Sequence, residues 1–368
     1  MKILILSDIN SSHTQKWVSG LSQRGIDVAV FSISAPASDW HVRKGIKLLG
    51  NTPDNKRTAG RSLLSKASYL QLIPGLRKAI DGFQPDLLHA HYASSYGFLG
   101  ALSGFHPFVI SAWGSDLMEF PLKNIVNRKI VKYNLAKADL LLATSKVLVD
   151  TIAKYSDKRA VRIPFGINTA QFAPETVASL FPESSTVVGT IKSLETIYGI
   201  DVLLNAFRIA ADQPSGRELR LLIVGGGSKE EEYKRLAGQL GILEKVVFAG
   251  RVAHDEASYY HNMIDIFVNV SRNESFGVSV LEASACGKPV IVSEVGGLPE
   301  VVIKNETGFC VPPEGAMETA KAIGQLAGDP ALRKRMGSQG RAFVQQHFDL
   351  DKNVDEMLRV YEKLIIKK

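Results

Sequence analysis

Two textures of hydrophobic and polar positions alternate along this chain. Short apolar runs of about five residues are bounded by Ser, Asp, Asn or Gly, and longer stretches between them carry apolar residues three and four apart. In the first half, "KILILSD", "DVAVFSI", "DLLHAH", "FVISAW" and "ADLLLATS" read as buried strands, and "TQKWVSGLSQRG" as an amphipathic helix closed by Gly25. From Ala160 to Thr186 the periodicity fades into "VRIPFGINTAQFAPETVASLFPESS", whose three prolines predict a linker. The pattern then restarts with "TVVGTI", "GIDVLLNAFRIAAD", "LRLLIVGGG", "KEEEYKRLAGQLG", "KVVFAG", "IDIFVNV" and "PVIVSE". Apolar strands alternating with helices predict parallel sheets covered on both faces, so the expected fold is α/β with two doubly wound units in tandem. The expected bounds are 1–165 and 166–350, with an amphipathic last helix over about 351–368 completing the first unit. Ligands of such units bind where strands end and helices begin, often in a cleft between domains.

Composition changes this picture little. At 368 residues with 45% hydrophobic and 22% charged positions, the chain is a soluble globular type with room for two cores. Cys286 and Cys310 are far apart and lack metal-ligand spacing, which suggests a reducing compartment. The N-terminal apolar run meets Ser7 and Asp8 after five residues, too short for an export signal. No other run approaches the roughly 18 apolar residues that span a bilayer. The expected location is the cytoplasm, or the inner face of the cell membrane as a peripheral protein.

Charge is uneven. Residues 1–183 hold 22 Lys and Arg against 13 Asp and Glu, whereas 184–368 hold 22 against 24. A basic surface on the first unit is therefore expected. "NKRTAGRSLLSKASYLQLIPGLRK" interleaves Lys56, Arg57, Arg61 and Lys66 with Leu63, Leu64, Tyr69 and Leu70, and "PLKNIVNRKIVKYNLAKAD" adds more cations. Such stretches suit an anionic membrane surface, although a solvated helix face is the simpler alternative. Nucleic acid is not an expected partner.

The most informative stretch is "NESFGVSVLEASACGKPV", Asn273 to Val290. A helix starting near Phe276 or Gly277 ends at Gly287, suited to a left-handed cap, with Pro289 blocking continuation. Glu274 precedes the helix and Glu282 lies within it, on the order of 12 Å apart at ~1.5 Å per residue. That exceeds the roughly 5 to 9.5 Å of a glycosidase pair. It suits two ends of one elongated ligand, with the helix N-terminus between them able to hold phosphate. Gly277 leaves the backbone open there. Sugar hydroxyls at Glu274, a diphosphate at the helix start and a ribose at Glu282 describe a nucleotide sugar. A surface glutamate and a second one paired with a lysine is the alternative.

Together with "SEVGGLPEVV", "ETGFCVPP" and the upstream "LLIVGGGSKEEEYKRLAGQLGILEKVVFAGRV", this stretch resembles the retaining nucleotide-sugar glycosyltransferases of the GT-B fold, family 4. The first half matches more loosely. Through "SDINSSHTQKW" and "HAHYASSYGFLGALSGFHPFVISAWGSD" it is similar to the subgroup that builds bacterial surface polysaccharides. The resemblance implies two Rossmann-like domains facing a central cleft, the first on the acceptor side and the second binding the nucleotide sugar. It places Glu274 at the donor sugar's hydroxyls and Glu282 at the ribose. Phe276, Gly277, Val278 and Ser279 would surround the diphosphate, and main-chain atoms at Arg251 and Val252 would meet the base.

A cation should face the departing diphosphate. Where the family has an arginine and then a lysine, "GTIKSLETIYG" has Thr190 and Tyr198, leaving Lys192 for that role unless it is simply a solvated surface lysine. His91, in "HAHY", is the resemblance's candidate to touch the sugar, with His89 on the same strand face. Trp113 stands where the family has a histidine, which leaves Asp116 as a weaker acceptor-side candidate. The loop after the first strand lacks the family's paired glycines and offers Asn10, Ser12 and His13 to the acceptor. "GGGSKE" lacks a dinucleotide fingerprint and reads as a tight turn, and "DLD" at 349–351 reads as a helix cap. No metal and no cofactor are expected beyond the nucleotide sugar as co-substrate. The implied function is retaining sugar transfer to an acceptor hydroxyl, on a lipid-linked or surface-polysaccharide precursor. An epimerase of the same fold and a non-catalytic nucleotide-sugar-binding protein are the alternatives.

Overall fold

The computed structural model describes residues 1–50, 69–213 and 218–366. Lys56, Arg57, Arg61, Leu63, Leu64 and Lys66 of the basic stretch lie outside the described residues. The chain divides into two compact units, Met1–Phe165 with Asp351–Lys368, and Gly166–Leu350.

The first unit is built on seven parallel strands. They are β1 (Lys2–Leu6), β2 (Asp27–Phe31), β3 (Lys47–Leu49), β4 (Leu87–His91), β5 (Phe108–Ala112), β6 (Leu140–Ala143) and β7 (Ala160–Arg162). Their order is β3-β2-β1-β4-β5-β6-β7. Every residue of the central strands β4 and β5 is buried, which is why their sequences show no alternation of apolar and charged residues, even with His89, His91 and Ser111 among them. Chain order reverses between β1 and β4, so the segments leaving these two strands diverge and open a crevice at the sheet's carboxyl edge.

The last helix, Leu350–Ile366, seals this unit. Tyr361 is 1% exposed, and its hydroxyl hydrogen-bonds Nδ1 of the buried His89 at 2.6 Å. Val354 lies on Gly20, where a Cβ would come within 2.7 Å of it, and Asn353 donates to the Pro164 carbonyl at 3.0 Å. Arg24 pairs with Asp351 and Asp355 on the same helix.

The second unit repeats the plan with six parallel strands. They are β8 (Thr186–Ile191), β9 (Leu219–Val224), β10 (Val246–Gly250), β11 (Ile266–Asn269), β12 (Val290–Ser293) and β13 (Gly308–Val311). The order β10-β9-β8-β11-β12-β13 places the reversal between β8 and β11. Leu203, Phe207, Leu221, Ile223, Ile266, Val268 and Ile323 form much of the core on one face of this sheet. The two doubly wound α/β units predicted from the alternation are thus present.

Two local readings gain detail. The segment read as a linker contains the boundary between the units, after Phe165, and packs within them: Phe165 is 5% exposed, and Ile167 and Phe172 are fully buried. Ile167 donates to the Phe348 carbonyl and accepts from the Leu350 amide. Prolines and weak periodicity mark irregular backbone, which an apolar anchor every few residues can still bury. The helix of the Asn273–Val290 stretch runs Val278–Ala285, with Gly277 at φ +107° as its N-terminal cap and Gly287, as expected, left-handed at φ +74° just past its end.

Candidate functional site

The crevice between β8 and β11 gathers the chemistry of the second unit. Lys192 follows β8 directly, and Glu274 lies in the loop after β11. Their side chains form an ion pair, with 13% and 15% of each exposed. The Lys192 ammonium also lies over the Tyr198 ring, 4.8 Å from its centroid, so the ring holds the cation.

The surrounding loops fix this pair. Arg272 makes a bidentate bond to Asp201 at 2.9 and 2.8 Å, pairs with Glu314 at 2.6 Å and donates to the Thr196 carbonyl at 2.6 Å. Hydrogen bonding to Asp201 first, and then to Glu314, raises its pKa further and keeps it charged. The Gly297 amide donates to the Glu274 carbonyl at 2.9 Å, and a Cβ on Gly296 would overlap that same carbonyl. The turn after β9 fits against the Lys192 loop in the same way, since a Cβ on Gly225 or Gly227 would overlap the Lys192 or Leu194 carbonyl. "GGGSKE" is therefore a close-approach turn.

Ahead of Glu274 runs the helix Val278–Ala285, whose N-terminus carries no side-chain cap. Phe276 is buried against Phe348 with ring centroids 5.9 Å apart, and it anchors the loop from below. Ser279 adds a buried hydroxyl without a hydrogen-bond partner in the first turn. This N-terminus presents the partial positive charge and amide donors that favour an anion.

Glu282 is 5% exposed and lies further along the same helix. Two histidines flank its carboxylate: His254 Nε2 is 3.8 Å from Oε1, and His261 Nε2 is 3.7 Å from Oε2. Arg251 and Val252 follow β10, where Gly250 at φ +74° turns the chain beside the β9 turn. The Arg251 Cβ lies 3.6 Å from where a Cβ on Gly226 would stand. Neither flanking histidine was legible in the chain. His254 sits in a 3-10 turn and His261 on the short helix Ala257–Met263, and only tertiary packing carries them to Glu282.

The crevice between β1 and β4 in the first unit holds His91. It is 1% exposed, and its Nδ1 hydrogen-bonds the Ser7 hydroxyl at 2.9 Å, which in turn meets Thr14 at 2.6 Å. Burial, and next the neighbouring His89 and His13, push its pKa well below the ordinary histidine value, so the ring is neutral. Trp113 lies 4.3 Å from His91 and 5.7 Å from His13, which stacks on Phe165 at 3.9 Å. Trp113 thus builds an aromatic wall with His13 and Phe165. Ser12 opens the helix Ser12–Gln23.

Two residues expected on the acceptor side serve as loop struts. Asn10 donates to the Ala35 carbonyl at 2.8 Å and accepts from the Ala37 amide at 2.7 Å. The fully buried Asp116 accepts from the amides of Ala93, Gly114 and Trp113 at 2.6, 2.8 and 3.2 Å. Both side chains satisfy backbone groups that loops of this curvature cannot pair otherwise. Among the described residues, no three His, Cys, Asp or Glu side chains come together as a metal site.

Comparison with known proteins agrees with this architecture. Residues 2–145 match a family model described as glycosyl transferase 4-like, and residues 173–343 match glycosyl transferases group 1. An uncharacterized glycosyltransferase of Methanocaldococcus jannaschii is 27% identical over 94% of this chain and 93% of its own length. Among solved structures, sucrose-phosphate synthase from Thermosynechococcus elongatus superposes with a TM-score of 0.83 at 23% identity, covering 100% of both chains. Anabaena HepE in complex with UDP and glucose gives 0.80 at 19% identity, covering 99% of this chain and 100% of that one. With a glycosyl transferase 4-like first unit and a group 1 second unit, the chain is a glycosyltransferase of the GT-B fold.

Proposed function

We propose that this glycosyltransferase moves a hexosyl group from a nucleoside diphosphate to an acceptor hydroxyl with retention at the anomeric carbon. The observation that carries the donor reading is the Lys192–Glu274 pair, set at a strand-order reversal beside an uncapped helix N-terminus. The diphosphate binds the amides of Val278 and Ser279, and Lys192 balances the charge that builds as it leaves. Glu274 holds the sugar hydroxyls, Glu282 the ribose, and the main chain at Arg251 and Val252 the base edge. The bond from the anomeric carbon to the diphosphate oxygen breaks as the acceptor oxygen bonds the same face, and the leaving phosphate takes the acceptor's proton. HepE, crystallised with UDP and glucose, supplies a precedent for the donor chemistry within this fold.

A thermal-shift series with uridine, guanosine and adenosine diphosphates tests the donor reading. One of them should raise the melting temperature while the free bases do not, since a ligand at 100 times its Kd adds about 2.7 kcal/mol to stability. Equal, negligible shifts for all three would remove the reading. Product analysis with the matching sugar donor should show transfer only when an acceptor is supplied.

For the acceptor we propose a lipid-linked glycan precursor at an anionic membrane. Support comes from the edge of the first unit, where Leu122, Ile125 and Val126 are 73%, 63% and 41% exposed beside Lys123, Arg128, Lys129 and Lys132. Cosedimentation with vesicles rich in phosphatidylglycerol should fall as salt rises and should weaken in the Ile125→Glu/Val126→Glu variant. Failure to bind such vesicles at low salt would rule the membrane out.

A further inference from the structure

The surroundings of Glu282 contain a group that sugar transfer does not account for. His261 is fully buried, and neither ring nitrogen has a hydrogen-bond partner. Phe267 and Phe172 line its ring at centroid distances of 5.3 and 5.9 Å. An imidazole in such a place is costly unless it is used, and phenylalanine would fill the space without an orphaned donor. Its Nε2 points at Glu282 Oε2 from 3.7 Å, beyond a hydrogen bond but within reach of a small carboxylate rotation. The other carboxylate oxygen lies toward His254, whose side chain is 38% exposed and whose ring sits 5.7 Å from Phe172. The carboxylate therefore has a buried side and a wetter side, each marked by one imidazole.

We propose that His261 is a positioning residue for ribose recognition. It closes on the inner oxygen of Glu282 when the nucleotide binds and turns the outer oxygen toward the ribose 2′,3′-diol. This proposal rests on the reading of Glu282 as the ribose carboxylate. A positioned carboxylate should discriminate a ribonucleotide from its dideoxy analogue far better than a freely rotating one, because both hydroxyls must be met at once.

The test is calorimetric binding of one nucleoside diphosphate, chosen by the thermal-shift series, and of its 2′,3′-dideoxy analogue. Wild type should prefer the ribonucleotide by about 10-fold or more, the span of one to two hydrogen bonds to a charged group. Glu282→Gln should abolish most of that preference. His261→Phe should cut it below about 3-fold while the dideoxy affinity and the melting temperature hold, and His261→Gln, which keeps one donor, should recover part of it. Retention of the full wild-type preference in His261→Phe and His261→Gln, with loss in Glu282→Gln, would overturn the positioning role and leave the ribose reading intact. No preference in wild type, and no effect of Glu282→Gln, would instead overturn the ribose reading and the proposal with it.

Discussion

Glu274→Gln is expected to lower sugar transfer by about 10²- to 10³-fold, the loss seen when one preorganised polar contact to a transition state is removed. The substitution preserves size and one acceptor oxygen but removes the charge that Lys192 faces. Two consequences separate this outcome from simple damage. The melting temperature should change little, because the loop is held by its backbone through Gly297 and by Arg272 rather than by the Glu274 carboxylate. Affinity for the bare nucleoside diphosphate should stay level or rise, since the freed Lys192 ammonium turns to the phosphates. Lys192→Met should do the reverse, weakening diphosphate binding while also lowering turnover. The double variant should lose less than the product of the two single losses, because the groups act on one another. Near wild-type transfer by Glu274→Gln, measured by steady-state kinetics at saturating donor, would take Glu274 out of the reaction.

The sequence made the middle of each sheet readable and its margins much less so. Strands β1, β4, β5, β8, β9 and β12 are almost wholly buried, so the chain spells them mostly in apolar residues, with His89 and His91 in β4 and Arg220 in β9 as the chief interruptions. The strands that escape such reading, β3, β7 and β13, are edges of three or four residues. β7 is "AVR" with two exposed residues, and β3 is "KLL" with no buried one. An edge strand is specified by its one neighbour's hydrogen-bond ladder, and that information is not written in its own composition.

Around the candidate site a similar division holds. The spacing of Glu274, Gly277 and Glu282 is local, and the chain displays it. What surrounds those residues comes from elsewhere: Arg272's partners Asp201 and Glu314, and Glu282's neighbours His254 and His261, are reached only by folding. In the first unit, polar loop residues also have backbone partners that the chain does not display. Asn10, after β1, and Asp116, after β5, accept from backbone amides, and the packing of His13 with Trp113 and Phe165 is reached only by folding.

Acid should destabilise the first unit sharply between about pH 6.5 and 4. Burial depresses the pKa of His89 to about 3, and burial, followed by the charges of His89 and His13, holds His91 well below the usual value. In the unfolded chain both titrate near 6.5. Between these limits the unfolded state binds protons that the folded state refuses, so stability falls as pH drops through 6.5 and is fully present above about 7. The slope approaches about 1.4 kcal/mol per pH unit for each histidine. Asp116 acts in the opposite direction, because burial raises its pKa and the folded state takes up that proton first. All three tryptophans, Trp17, Trp40 and Trp113, belong to the first unit, so tryptophan fluorescence follows its unfolding separately from the second. Urea midpoints read this way should decline steadily from pH 7 to pH 5. His89→Phe should start lower at pH 7, having lost the bonds to Tyr361 and Ser111, yet decline less steeply. A midpoint that stays level over that range would mean that the two histidines take up protons in the folded state after all, and that the crevice beside β1 is wetter than its burial implies.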